Sequence, residues 1–245
     1  MASATGIPND PVDRESTGAD DMEPLLGRPG DASQRDNAPI AKNLIIGTGI
    51  VAEGASLLLV ASVWAAVFLH GSAMLFTVHP LAQSLGMLVL VQSILILQPT
   101  HTGQQKVVGQ KIHAGLNMLA IVILGVGVIS IEVNKIRDNG KHFKSVHGYL
   151  GVIASFWLLF QYLVGLTMYA TPKLYGSEAR AKSIWKYHRI SGYVLFLFLQ
   201  ATVISATQTD YNFNVLGLKL WAFILISVLI IVGVYPRIKK QKLGL

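Results

Sequence analysis

His79, His113, His147 and His188 fall 34, 34 and 41 residues apart, and each stands near the start of a long apolar run, in "LFTVHP", "QKIHAG", "KSVHGYLG" and "WKYHRISG". An imidazole can ligate a metal, carry a proton or simply hydrogen-bond, and an ionisable group in an apolar span is costly enough that a functional role is the default. One such residue fits a relay as well as a ligand. Four placed alike in consecutive runs fit a set of ligands. The chain has no cysteine, which excludes disulfides, thiolate metal sites, iron–sulfur clusters and a haem attached through Cys-x-x-Cys-His.

The elements that must position these rings follow from composition. Of 245 residues, 52% are hydrophobic and only 13% charged, which places the chain in a membrane. Apolar stretches of about 20 residues occur at Leu44–Leu69, Leu75–Leu97, Ile112–Val133, Val146–Ala170, Tyr187–Thr207 and Val215–Val234. The expected fold is therefore an all-α membrane protein of six transmembrane helices, with spans two to five as its core. Residues 1–43, rich in Pro, Gly, Asp and Ser, read as a disordered tail. Residues 44–236 form the transmembrane domain and 237–245 a basic tail.

The net charge of +7 reports topology rather than nucleic-acid binding, because Lys and Arg concentrate on cytosolic loops. With six spans both termini share a side. That side holds eleven basic residues near the span ends against five on the other, so both termini are expected in the cytosol. The loop between spans three and four dissents, with Lys135, Arg137, Lys141 and Lys144.

Successive spans run in opposite directions, so His79 and His147 fall near the non-cytoplasmic face and His113 and His188 near the cytosolic one. In an up-and-down bundle of spans two to five, the second and fourth helices share one diagonal and the third and fifth the other. Each level owns one facing pair. Two axial histidines without a thiolate describe a six-coordinate b-type haem, and two levels describe two haems. A span rises about 30 Å, which puts the irons about 20 Å apart. Gly148 and Gly151 after His147, Gly115 after His113 and Gly192 after His188 would let a flat macrocycle approach the backbone. The plainer role of small residues in membrane helices is close packing.

These residues resemble the cytochrome b561 family of transmembrane ascorbate-dependent reductases. "LFTVHP", "HFKSVHGYLG", "YATPKLYG" and "YHRISG" are similar to its short members, which carry no extracellular domain. The resemblance covers the chain from about Leu44 to Tyr235. It implies two non-covalently bound haems b, one on His79 and His147 and one on His113 and His188. It also implies cytosolic ascorbate as donor and monodehydroascorbate or ferric iron as acceptor. The family places basic residues ahead of the third-helix histidine to hold ascorbate. Lys106 matches one such position, whereas Gln110 stands at the second with Lys111 beside it. Arg180, Lys182 and Lys186 could complete an anionic site, or could simply obey the positive-inside rule. Lys141, His142 and Lys144 lie near the His147 site and suit an anionic acceptor such as a ferric chelate. His70 and His101 read as interfacial residues.

The expected activity is that of a transmembrane ferrireductase or monodehydroascorbate reductase. Membrane lipid, ascorbate and its acceptors are the partners, a homodimer is left open, and nucleic acid is excluded. A proton-coupled or metal-ion transporter is the alternative, although the spans offer only Glu53 and Glu132 as acids. In the tail, Asp21, Leu25 and Leu26 of "DMEPLL" resemble an acidic dileucine sorting signal. It points to an endomembrane, of vacuolar or lysosome-like type.

Overall fold

The computed structural model describes residues 32–35, 37–70, 75–239 and 243. The Asp21, Leu25 and Leu26 motif and most of the segment read as a disordered tail lie outside these residues. Six α-helices account for the spans: α1 (Gly49–His70), α2 (Leu75–Leu97), α3 (Gly103–Arg137), α4 (Val146–Ala170), α5 (Glu178–Ala206) and α6 (Leu220–Val234). With the short turn that continues α6 to Arg237, all six are long and apolar enough to cross a membrane.

Helix starts are written in the side chains. Thr102 caps α3 by accepting from the Gln105 amide while the Gln105 side chain reaches back to the cap backbone, a reciprocal pairing that satisfies two orphan donors. Ser145 accepts from the Gly148 amide at 3.2 Å and Ser177 from that of Arg180 at 3.2 Å, each contact worth about 1 kcal/mol. The Ser145 cap fixes the register that makes His147 the second residue of α4.

Helices α2 and α4 have the ends expected from hydropathy, whereas α3 and α5 begin earlier. At 35 residues, α3 is about 50 Å long, well beyond the ~30 Å hydrocarbon core. Its first turns carry Lys106 and Lys111, and those of α5 carry Arg180, Lys182 and Lys186. The positive loops of the sequence reading are thus helical overhangs. Helix α6 starts later than expected because a π-helical turn, Asn212–Leu216, ends at Gly217 in the left-handed conformation, φ +66°. The Asn212 side chain closes that turn by donating to the carbonyls of Thr207 and Leu218 and accepting from the Leu218 amide.

Helix α2 packs closely on α3, α4 on α5, and α1 on α6 and α2, while α3 and α4 touch sparsely. Small residues set the close approaches. A Cβ on Gly127 would lie 2.6 Å from Gln83 Nε2, and one on Gly86 would press on the Leu124 side chain. The α2–α3 contact therefore brings backbones together, and Gln83 Nε2 donates to the Leu124 carbonyl at 2.9 Å. Along α1, Ala52, Ala55, Leu59, Val63 and Ala66 are buried at helical spacing.

Residues 32–35 and 37–44 pack on the bundle, where the sequence reading had a tail. The Gln34 amide donates to Pro99 O at 3.0 Å, and Asn43 donates to Gln34 Oε1 and to Ile96 O. Arg237, counted above with the basic tail, is 2% exposed and donates through Nη2 to the carbonyls of Asn43 and Leu95. Those carbonyls need donors, and a guanidinium supplies them where a helix dipole favours a cation.

Candidate functional site

Three of the four histidines are held the same way, each by a backbone carbonyl of a neighbouring helix. His79 Nδ1 lies 2.9 Å from Gly127 O on α3, His113 Nδ1 2.9 Å from Ser93 O on α2, and His147 Nδ1 3.0 Å from Thr202 O on α5. A carbonyl oxygen only accepts, so in each ring Nδ1 carries the hydrogen and Nε2 keeps its lone pair. Such a carbonyl fixes the tautomer and orientation of a metal-ligating histidine and raises its basicity.

The rings meet in the expected pairs. The centroids of His79 and His147 are 6.0 Å apart with planes at 78°. A metal–imidazole bond is about 2 Å, so one metal ion with a bond to each ring fills such a separation. His113 and His188 line one cavity together. Its volume, about 250 Å³, is many times the ~10–15 Å³ that one water occupies by the same measure. Leu90, Leu158, Phe196 and Leu199 form much of its wall, as an apolar organic group requires.

His188 differs from the other three. Its Nδ1 is buried without a hydrogen-bond partner, and the ring lies against the backbone of α4 at Gly165, where a Cβ would sit 2.8 Å from Cε1. The backbone beside it is tied down, since Gln161 Nε2 donates to His188 O at 2.6 Å. Gly192 makes room for that Gln161 amide, 2.9 Å from its would-be Cβ, so it serves helix packing. Gly151 has open space where a Cβ would stand, as does Gly115, and Gly148 lies 3.7 Å from Ser145 Oγ.

The cations expected to bind substrates are distributed unevenly. Lys106, Lys111, Arg180 and Lys186 are exposed on the overhangs of α3 and α5 and do not line the His113–His188 cavity. Lys186 sits 5.0 Å above the Tyr187 ring, and Lys182 is 3.9 Å from Glu178. The cavity wall instead holds Arg189, Arg237 and Lys239. Arg189 could have been suspected as the neighbour of His188, whereas the burial of Arg237 has no signal in a run of basic residues. On the other side, His142 Nδ1 is 3.1 Å from Glu132, which also pairs with Lys135 at 3.2 Å. Lys144 is 3.8 Å from Asp210, and Lys141 is exposed.

Comparison with known proteins gives this arrangement a family. The model described as eukaryotic cytochrome b561 matches residues 78–214, a stretch that contains all four histidines. The transmembrane ascorbate-dependent reductase CYB561 of Sus scrofa is 26% identical over 175 residues, 69% of this chain and 68% of that protein. Its counterpart from Ovis aries is 26% identical over 169 residues, 62% of this chain and 66% of that protein. The plasma membrane ascorbate-dependent reductase CYBRD1 of Mus musculus is 27% identical over 138 residues, 55% and 47% of the respective chains. The matched regions thus span about two thirds or less of these relatives. Because the family match covers more than half of the chain and takes in both histidine pairs, the protein belongs to the eukaryotic cytochrome b561 family.

Proposed function

We propose that this protein carries single electrons across its membrane, from cytosolic ascorbate to monodehydroascorbate or a ferric chelate on the other side. The family implies haem b, and the residues suit it. Among the described residues no group of three or more His, Asp or Glu converges, too few for a bare ion. A macrocycle brings its own equatorial nitrogens and asks the protein only for axial ligands. His79 with His147 would hold one haem and His113 with His188 the other. Bound there, haem supplies a one-electron donor and acceptor near each face of the membrane.

The chain's own residues do the rest. The carbonyls of Gly127, Ser93 and Thr202 keep three Nε2 lone pairs available, and the largely apolar wall of the His113–His188 cavity suits an organic group. With two imidazoles to hold it, haem at each site would supply electron transfer rather than oxygen chemistry. The donor reading draws on the relatives named as ascorbate-dependent reductases and on the cations of this face. Lys106, Lys111, Arg180 and Lys186 would attract anionic ascorbate by their field. On the other face, Lys141, His142 and Lys144 would do the same for an anionic acceptor, with His142 and Lys144 partly neutralised by their partners. Both termini face the cytosol in this scheme.

The observation that carries the proposal is the 6.0 Å pairing of His79 with His147, with both tautomers set by backbone carbonyls. Purified protein should hold two haems b per chain and give a low-spin spectrum that ascorbate reduces. A folded, colourless preparation would refute it and return the transporter alternative.

A further inference from the structure

Lys239 stands where the wall of the His113–His188 cavity meets the surface. It lines the cavity and is only partly buried, and its Nζ donates to Ser33 Oγ at 2.9 Å. Ser33 is itself exposed. A hydroxyl takes up one of the three ammonium protons and leaves the charge uncancelled. Among the described residues no carboxylate pairs with Lys239, and none lines the cavity.

Both partners of this contact come from anchored backbone. Ala32 and Gln34, on either side of Ser33, are 3% and 6% exposed. The Gln34 amide donates to Pro99 O at 3.0 Å, and the Gln34 side chain accepts from Asn43 at 3.0 Å. Two residues before Lys239, the Arg237 side chain is fixed on the carbonyls of Asn43 and Leu95. An ammonium already held in this way loses less freedom on meeting a ligand than a lysine loose in solvent. Lys106, Lys111, Arg180 and Lys186 are exposed and stand outside the cavity wall, so they draw an anion toward this face without holding it at the site. The α3 side of the wall offers the neutral Gln110, and the charge comes instead from beyond the end of α6.

We infer that Lys239, positioned by Ser33, is the contact that holds the anionic donor at the mouth of the His113–His188 cavity. The inference deepens the electron-transfer reading above and rests on it. Its ligand is an oxyanion, for which there are two sources: the donor arriving from solution, and the carboxylates of haem in the cavity. The partial exposure of Lys239 favours the first, because a side chain in reach of solvent is in reach of a soluble anion.

Rapid reduction of the haem-loaded full chain, followed by haem absorbance over a range of ascorbate concentrations, tests it. Lys239→Gln should raise the concentration for half-maximal rate roughly fivefold, the scale of a partly exposed ion pair, with the limiting rate and haem content unchanged. Lys239→Arg should restore the original value. Ser33→Ala should give a smaller rise in the same sense and add nothing to Lys239→Gln, since one residue acts through the other. Duroquinol, uncharged at neutral pH, should reduce the unaltered protein and Lys239→Gln alike. Equal slowing with both reductants, or haem lost from folded Lys239→Gln, would put Lys239 on the haem carboxylates and overturn the inference. An unchanged half-saturation, or a Ser33→Ala effect that adds in full to Lys239→Gln, would overturn it too. Protein that holds no haem, or whose haem ascorbate does not reduce, would refute the electron-transfer reading itself. Normal reduction by ascorbate with an indifferent Lys239 would refute only this inference.

Discussion

At the scale of single residues, three of the four paired histidines are held through one ring nitrogen and offer the other. Carbonyls of Gly127, Ser93 and Thr202 hold Nδ1 in three rings, so Nε2 keeps its lone pair. Because each pair is separate, His113→Ala should halve the haem content and leave the His79–His147 haem bound, as a pyridine haemochrome assay would show. Loss of both haems from a folded variant would mean that the sites are not independent. Lys106→Glu should raise the ascorbate concentration for half-maximal reduction, roughly tenfold if about 1.4 kcal/mol of attraction is lost, with the haem spectrum unchanged. Unaltered kinetics would leave Lys106 as a topology signal alone. The juxtaposition of His79 with His147 and of His113 with His188 was legible in the sequence because type, spacing and position in each run agree. Gly165 was not, since its partner His188 lies on another helix and no spacing announces the contact. Arg237 read as a tail charge because residue type cannot reveal the carbonyls of Asn43 and Leu95 waiting for it.

At the scale of elements, hydropathy located the apolar part of each helix, and side-chain caps decided where α3, α4 and α5 begin. Ends of α2 and α4 coincide with their apolar limits, and "KSVHG" carries the Ser145 cap in plain view. The early starts of α3 and α5 escaped a hydropathy reading because their first ten residues are polar or mixed, although the Thr102–Gln105 capping box and Ser177 mark them. These overhangs make His113 and His188 each the eleventh residue of its helix. Close packing of α2 on α3 is what lets His79 reach Gly127 O. Gly127→Val should therefore force these helices apart, costing about 1–3 kcal/mol and loosening the His79–His147 haem first. Gly54→Ala, where a Cβ meets nothing within 4 Å, should be neutral or gain up to about 1 kcal/mol. Thermal unfolding in detergent distinguishes the two, and equal effects would show that the glycine contact does not set the α2–α3 distance.

At the scale of the whole molecule, α2 and α3 form one closely packed pair and α4 and α5 another, with α1 laid against α2 and α6 against α1 and, more lightly, α5. The sparse contact between α3 and α4 leaves the interior to the facing histidines. A polar network at one end joins residues 32–35 and 37–44, the end of α2 and the end of α6 through Asn43, Gln98 and Arg237. It ties the segment ahead of α1 to the ends of α2 and α6 at one face of the bundle. Sorting belongs to this scale too. Changing Leu25 and Leu26 to Ala should shift a tagged protein from an endomembrane toward the plasma membrane, and an unchanged distribution would remove the sorting signal without touching electron transfer. The most direct test of the central claim is electron passage itself. Haem-loaded protein is reconstituted into vesicles enclosing a ferric chelate, with its cytosolic face outward, and ascorbate is added outside. Ferrous iron should appear inside at a rate that depends on all four histidines, and haem reduction without any internal ferrous iron would contradict transmembrane transfer.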